Sequence, residues 1–175
     1  MVEANLKGID LSGANLKGAN LRGTDLRKSK LIGTDLTRAS LRYADLTHSN
    51  LQGADLTDAD IEDCNFNSCI LSSAKLRRVR VHKRELKRVV LLGAELSYAD
   101  LSRADLSGQD FFEVSLYGAN LQETNLRNAK LYKADLREAK LDRADLEGAT
   151  RSRYKIGNAL KQFSIRVVKF PIRNT

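Results

Sequence analysis

The chain has 175 residues, of which 42% are apolar and 30% charged, and its net charge of +8 gives a pI near 9.6. This length fits a single domain. The sequence has neither a signal peptide nor an apolar run long enough to cross a membrane, so we expect a cytoplasmic protein without membrane contact.

A large apolar residue recurs at every fifth position from Leu6 to Leu146, in 29 consecutive repeats. A period of five is neither the 3.6 of a helix nor the 2 of a strand, so the chain must turn a corner every five residues. We call the recurrent position i. The residue at i−2 is small in 23 of the 29 repeats, and ten of the eleven glycines lie at i+2.

Each of these preferences has a physical cause. Positions i−2 and i lie on the same side of a short extended segment, so both point inward and stacked layers can interlock. Glycine at i+2 supplies the positive φ of the third residue in a type II turn. Bulky residues there, such as Arg38, Tyr43 and Lys133, predict a different turn. Asp and Asn, common at i−1, point outward beside the turn and tolerate its backbone.

The motif A-(D/N)-L-x-x, as in residues 14–18 and 54–58, resembles the pentapeptide repeat family over residues 4–149, about 83% of the chain. The resemblance implies an all-β fold, a right-handed quadrilateral parallel β-helix of about seven coils, with residues twenty apart stacked. At the usual strand spacing, seven coils give a rod of roughly 34 Å. We therefore expect a β-helix over residues 1–150 and a basic C-terminal cap or tail over 151–175.

Two cysteines, Cys64 and Cys69, fall at the small inward position of successive repeats. In a cytosolic protein they are best read as core filler. A disulfide across the coil is the alternative if the two Cα atoms approach closely enough. Two thiols without a nearby histidine offer too few ligands for a metal.

The repeat pattern breaks at residues 77–90, where Val79, Arg84 and Val89 take inward positions that are small elsewhere. We predict a local bulge or loop near 78–90 that preserves the five-residue register. The same stretch forms a basic belt. Its cations are a candidate contact for a phosphate, a nucleic acid or an acidic partner, with a solvated distortion as the simpler interpretation. They are Arg77, Arg78, Arg80, Lys83, Arg84, Lys87 and Arg88.

The outward position i+1 is polar in most repeats, but Ile32, Leu92, Phe112 and Tyr132 are apolar or aromatic and spaced by multiples of twenty. They should therefore stack on one face, flanked by Val90. A contiguous exposed apolar stripe is typical of a protein interface. Coverage by the chain's own tail or by the 78–90 segment is the alternative.

Gln109 is a second, smaller departure from the repeat pattern, after residues 77–90, because it is a large polar residue at an inward position.

The last 25 residues contain seven basic residues and no acidic ones. Asn158 is suited to cap a short helix, and Pro171 ends regular structure. We interpret residues 158–170 as a terminal cap over the last coil. A dimerisation element is the alternative, and a membrane-surface helix a weaker one.

Catalysis is not favoured, because neither His48 nor His82 has a Ser or Cys beside it in the pattern that a nucleophile requires. We predict no cofactor and no metal, and a solid core without a substrate cavity. The sequence instead favours a non-enzymatic scaffold, monomeric or joined end to end as a dimer, that presents a rigid surface to a protein partner. Nucleic-acid binding through the belt and tail is the alternative.

Some members of the family resemble a DNA duplex in width and charge and protect DNA gyrase from quinolones, with a strongly acidic surface. This chain departs from that pattern because basic residues interrupt every acidic column, so DNA mimicry is a minor alternative. The interrupting residues are Lys7, Arg27, Arg42, Arg103, Arg127 and Arg137. The abundance of the family in cyanobacteria favours a bacterial source.

Overall fold

The structure is a computed structural model that describes residues 1–81, 86 and 88–151. Residues in these ranges form a four-sided parallel β-helix in which most described residues of the i−1 column pair with the residue twenty positions on, as Asn5 does with Asp25. At the upper end the ladder contains two short strands, β1 (Lys130–Leu131) and β2 (Thr150–Arg151). These strands are parallel, with Lys130 opposite Thr150.

The corner is a β-turn that follows each inward residue. The N–H of Ile9 donates to the carbonyl of Leu6 at 3.1 Å, and that of Ala14 to Leu11 at 3.0 Å. Successive coils are joined by bonds such as Leu6 N–H to Asp25 O at 2.8 Å. Regular backbone bonding on both sides of each segment therefore satisfies the polar groups around the core.

Inward side chains fill the centre of the helix. From Leu21 onward the residues at position i are buried, including Phe66 and Phe111 at zero exposure. The first coil, with Leu6 and Leu11, is only half-buried. Threonine hydroxyls at i−2 donate to backbone carbonyls, as Thr24 does to Leu21 O at 2.7 Å. The described interior is thus a packed column of apolar side chains.

The prediction that bulky residues at i+2 adopt a different turn was wrong, because their φ angles are positive, like those of the glycines at this position. Arg38, Tyr43 and Lys133 have φ of 57°, 60° and 59°, close to the 69° of Gly13. The hydrogen bonds between coils hold the backbone of the corner in place, so residues other than glycine also adopt the left-handed conformation there.

The ladder is irregular beside the segment 78–90. Corner bonds elsewhere join residues nineteen apart, as Gly8 N–H to Arg27 O, but Ser68 N–H donates to Arg88 O at 3.1 Å, an offset of twenty. Val79 and Val89 point inward and are buried. The predicted inward position of Arg84, and the distinction between a bulge and a loop, lie outside the described residues. The predicted cap over residues 158–170 also lies outside them.

Candidate interaction surfaces

We number the four faces of the β-helix 1 to 4 by the inward residues of the second coil, Leu26, Leu31, Leu36 and Leu41. Residues twenty apart share a face, so a surface feature is a run of side chains in one or two vertical columns. Adjacent coils lie about 4.8 Å apart, which brings successive side chains of a column into contact.

Face 2 carries a cluster of exposed apolar side chains, which we call the apolar patch. Its members and their exposed fractions are Ile70 (39%), Val90 (49%), Leu92 (48%), Tyr132 (48%) and the half-buried Phe112. Ile70 and Val90 are paired in the ladder, and the rings of Phe112 and Tyr132 stack with centroids 5.6 Å apart. Leu92 lies one coil below Phe112 in the i+1 column, so exposed apolar side chains occupy this face in four successive coils.

A charged group, the ammonium of Lys133, lies over the upper part of the patch. Lys133 places its Nζ 5.1 Å from the ring centroid of Phe112 and 5.9 Å from that of Tyr132. The same ammonium donates to Glu113 at 2.9 Å, which raises the pKa of Lys133. The cation is thus held at the rim of the aromatic pair by a carboxylate and a cation–π contact.

Sequence reasoning placed Ile32 in the stripe and missed Ile70. Ile32 is exposed on the same face, but Gln52 and Ser72 occupy the two coils between it and Leu92. The structure therefore separates Ile32 from the patch. Ile70 lies in the i−1 column, like Val90, but one coil below Leu92, where Ser72 takes the i+1 position, so the stripe of i+1 residues did not point to it.

Three cations of the basic belt are already paired. Arg78 donates to both carboxylate oxygens of Asp58 at 2.6 Å, and Arg80 lies 3.9 Å from a carboxylate oxygen of Asp100. Arg77 forms an ion pair with Glu95. Arg88 is exposed with φ of 61°. The other predicted belt residues lie outside the described residues: Lys83, Arg84 and Lys87.

Next to the patch, the side chain of Gln109 replaces a backbone N–H as the donor of one hydrogen bond between coils. Gln109 is buried, and its Nε2 donates to the carbonyl of Val89 at 2.7 Å. In a regular coil a backbone N–H makes this bond, as Asp135 N–H does to Val114 O. Gln109 is large for its inward position, but it thus satisfies a carbonyl group in the irregular part of the ladder next to Val90.

Both cysteines are buried thiols, so the disulfide alternative is not formed in this structure. The Sγ of Cys69 donates to the carbonyl of Leu46 at 2.7 Å and lies 3.3 Å from Ser49 Oγ. Burial raises the pKa of Cys69 to about 11. The thiol therefore stays protonated and unreactive at neutral pH.

The sequence matches the family of pentapeptide repeats in eight copies, over residues 4–42, 39–78, 69–108 and 110–148. The chain belongs to the pentapeptide repeat family, and its fold is the right-handed quadrilateral β-helix that the sequence predicted. No curated protein sequence matches it.

Two solved structures of the same family resemble the chain. HetL, a pentapeptide repeat protein involved in heterocyst differentiation regulation from the cyanobacterium Nostoc sp. strain PCC 7120, is 29% identical, with 85% of each chain covered and a TM-score of 0.54. QnrB1, a plasmid-mediated fluoroquinolone resistance protein, is 17% identical, with 94% of this chain and 84% of that chain covered and a TM-score of 0.51. The second likeness shows the fold alone.

The described part of the chain contains no helix that could span a bilayer. Within the same residues, no group of three or more His, Cys, Asp or Glu side chains is arranged to hold a metal ion.

Proposed function

We propose that this protein is a non-enzymatic adaptor that binds a protein partner through the apolar patch on face 2. The observation that carries the proposal is the continuity of the patch, from Ile70 and Val90 to the stacked rings of Phe112 and Tyr132. Apolar side chains that are contiguous and exposed are typical of an interface, whereas single exposed ones are ordinary.

The chemistry of the patch suits a folded partner with an apolar surface of its own. Aromatic side chains near the centre of an interface contribute most of the binding energy, and a polar rim excludes water around them. Phe112 and Tyr132 supply the aromatic centre, and Lys133 with Glu113 supplies a neutralised rim. A rigid β-helix would present these side chains with little conformational entropy left to lose on binding.

Two further observations support the assignment. The packed interior is filled by inward side chains such as Phe66 and Leu96, which suits a structural role better than a substrate cavity. The buried thiols of Cys64 and Cys69 suit the reducing cytoplasm, which we propose as the compartment. HetL takes part in regulating heterocyst differentiation, and we propose a regulatory adaptor role of that kind here.

The test is capture of a partner from native cytosol by the immobilised protein, after nuclease treatment, followed by affinity measurement with the isolated partner. Phe112→Asp should weaken binding by at least about 30-fold, because removal of an aromatic hot spot costs about 2 kcal/mol or more. Ile32→Asp is the matched control, since it makes the same kind of change at the same repeat position of the same face, away from the patch.

Retention of the partner by Ile32→Asp and its loss by Phe112→Asp, with both variants folded, would support the proposal. A partner that binds both variants as tightly as the wild type would contradict it. Recovery of nucleic acid alone from untreated cytosol would instead favour the alternative function, nucleic-acid binding through the basic belt and tail. The weaker alternative, a DNA-mimicking protein that interacts with gyrase, would inhibit supercoiling without binding DNA itself.

A further inference from the structure

A groove lies on face 3, separate from the apolar patch. Its volume of about 420 Å³ is within the range of small-molecule sites. Ser97 and Ser115 form the floor, with their hydroxyl oxygens 3.0 Å apart, and Ser97 is 8% exposed. Both serines are outward residues between larger side chains of the coils above and below, so they create a depression in an otherwise filled surface.

Two tyrosines form one wall of the groove. The rings of Tyr98 and Tyr117 meet edge to face, with centroids 5.5 Å apart and an interplanar angle of 85°. The Tyr98 ring packs closely over Gly118, where an added Cβ would lie 2.7 Å from it, and Tyr98 is 55% exposed. A hydrogen bond to Glu138 raises the pKa of Tyr117 to about 12, so its hydroxyl is neutral at physiological pH.

The charged side chains of the groove are already paired. Arg77 forms an ion pair with Glu95, and Arg137 donates Nε and Nη2 to the two carboxylate oxygens of Asp135 at 2.9 and 2.7 Å. Arg78, the third guanidinium in the lining, is held by a carboxylate of the coil below. A charged ligand would have to displace one of these partners.

We propose that the groove binds a neutral saccharide through these paired groups and the tyrosine wall. An arginine has five N–H donors, and each guanidinium of the lining gives one or two of them to its carboxylate, so it keeps donors in fixed geometry for a ligand. Saccharide hydroxyls both donate and accept, and they can use these donors without breaking an ion pair. The apolar C–H face of a sugar ring would lie on the exposed ring of Tyr98.

This site is independent of the proposed protein interface, because it uses another face and other residues. The same sugar chemistry could come from a soluble oligosaccharide or from the headgroup of a neutral glycolipid. The test therefore has two arms. In the first, maltose, cellobiose and diacetylchitobiose are titrated and followed by saturation-transfer NMR of the sugar and by amide shifts of the protein. In the second, binding to phosphatidylcholine vesicles is measured with and without a galactosyl lipid.

We expect a Kd of about 1 mM or tighter for at least one probe, with amide shifts centred on Ser97, Tyr98 and Ser115. Ser97→Leu should fill the depression and Tyr98→Asn should remove the exposed ring of the wall, each weakening binding at least about 10-fold, or 1.4 kcal/mol. Both variants suit the fold, because Leu92 occupies the same outward position and Asn128 the same corner with φ of 57°.

Ser107→Leu is the control, since it makes the same change at the same repeat position on face 1. Binding in either arm that is retained by this control and lost by Ser97→Leu would support the site, and the arm that responds identifies the source of the sugar. Binding that persists in Ser97→Leu would overturn the proposal, as would failure of every neutral probe in both arms. Preferential binding of inorganic phosphate or of a peptide in the groove would overturn it too.

Discussion

Single residues set the corners of this β-helix through a side-chain acceptor as well as through glycine. The Oδ1 of Asp10 accepts the N–H of Ser12 at 3.1 Å, and that of Asn15 accepts the N–H of Lys17 at 3.1 Å. Sequence reasoning explained Asp and Asn at i−1 only by tolerance of the turn. The structure shows that they begin it, as in an Asx-turn.

This role predicts loss of stability in acid. Arg27 donates to both carboxylate oxygens of Asp25, which lowers the pKa of that carboxyl from 3.8 to about 2. The pKa values of Asp35 and Asp58 are lowered as well, chiefly by hydrogen bonds from Thr37 and Arg78. A lowered folded-state pKa contributes stability above the unfolded value, and this contribution is lost as the pH falls through the folded one.

We therefore expect the midpoint of thermal unfolding, followed by circular dichroism, to be steady from about pH 7 to pH 5 and to fall between about pH 4 and pH 2. Asp25→Asn is the informative variant, because the amide oxygen still accepts the turn N–H but does not titrate. Its curve should fall less steeply in acid than that of the wild type. Parallel curves would show that Asp25 contributes nothing to the acid response.

Alanine substitutions at two glycines distinguish the stability cost of backbone strain from that of a steric clash with a side chain. Gly13 has φ of +69° and nothing within 4 Å of an added Cβ, whereas a Cβ at Gly118 would lie 2.7 Å from the Tyr98 ring. Gly13→Ala should cost about 1 kcal/mol in free energy of unfolding from the left-handed backbone alone. Gly118→Ala should cost more and should shift the NMR resonances of the Tyr98 ring. Equal costs with an unmoved ring would contradict the packing described for face 3.

At the scale of one coil, the structure accommodates an irregular segment because a side-chain hydrogen bond replaces a backbone hydrogen bond between coils. Gln109 takes an inward position that is small in most repeats, and its amide satisfies the carbonyl of Val89. The bond is buried, so its loss leaves an acceptor that water cannot easily reach.

Gln109→Leu tests this arrangement, because leucine has a similar volume but no donor. We expect the free energy of unfolding in urea to fall by about 1–3 kcal/mol. Val114→Ala gives a reference for a change at the same repeat position in the next repeat, where the backbone makes the corresponding bond. A stability of Gln109→Leu equal to that of the wild type would mean that the side-chain bond is dispensable.

Much of this architecture could be predicted from the period of five. The inward columns follow from it, whereas the stacking of residues twenty apart and the shared face of Leu92, Phe112 and Tyr132 follow from the four repeats per coil that the family resemblance implies. The groove did not follow, since outward serines such as Ser97 are common and the depression depends on side chains from neighbouring columns. Nor did the shared sign of φ at bulky corners, because propensity alone disfavours it and the ladder of backbone bonds overrides that preference.

At the scale of the whole molecule, the charges of residues 1–150 nearly cancel in sum, and the excess of positive charge lies in the tail. Residues 1–150 carry 23 basic and 22 acidic side chains, and the last 25 residues carry seven basic and no acidic ones. Many opposite charges pair between coils, as Lys30 does with Asp10 at 3.7 Å and Lys130 with Asp110 at 3.6 Å. Each exposed pair contributes at most about 1 kcal/mol to stability. Because the opposite charges are nearly equal in number, the β-helix is almost neutral.

This distribution predicts where any binding to nucleic acid originates. Deletion of residues 152–175 should abolish binding to a labelled DNA duplex in fluorescence anisotropy, whereas the triple variant Arg77→Gln, Arg78→Gln, Arg80→Gln should bind within about 2-fold of the wild type. The reason is that the three arginines are neutralised by Glu95, Asp58 and Asp100, so few counterions are released when they approach phosphate.

The salt dependence distinguishes the two sources further. The slope of log K against log salt changes by about 0.9 for each phosphate contact on duplex DNA, so a tail with six cations beyond residue 152 can account for a slope of up to about 5. The triple variant should keep the wild-type slope. If it loses the slope while the deletion variant keeps it, the basic belt binds the duplex, and the alternative function becomes the better supported one. Thermal unfolding of both variants must match the wild type for the comparison to hold, because the paired arginines also join neighbouring coils.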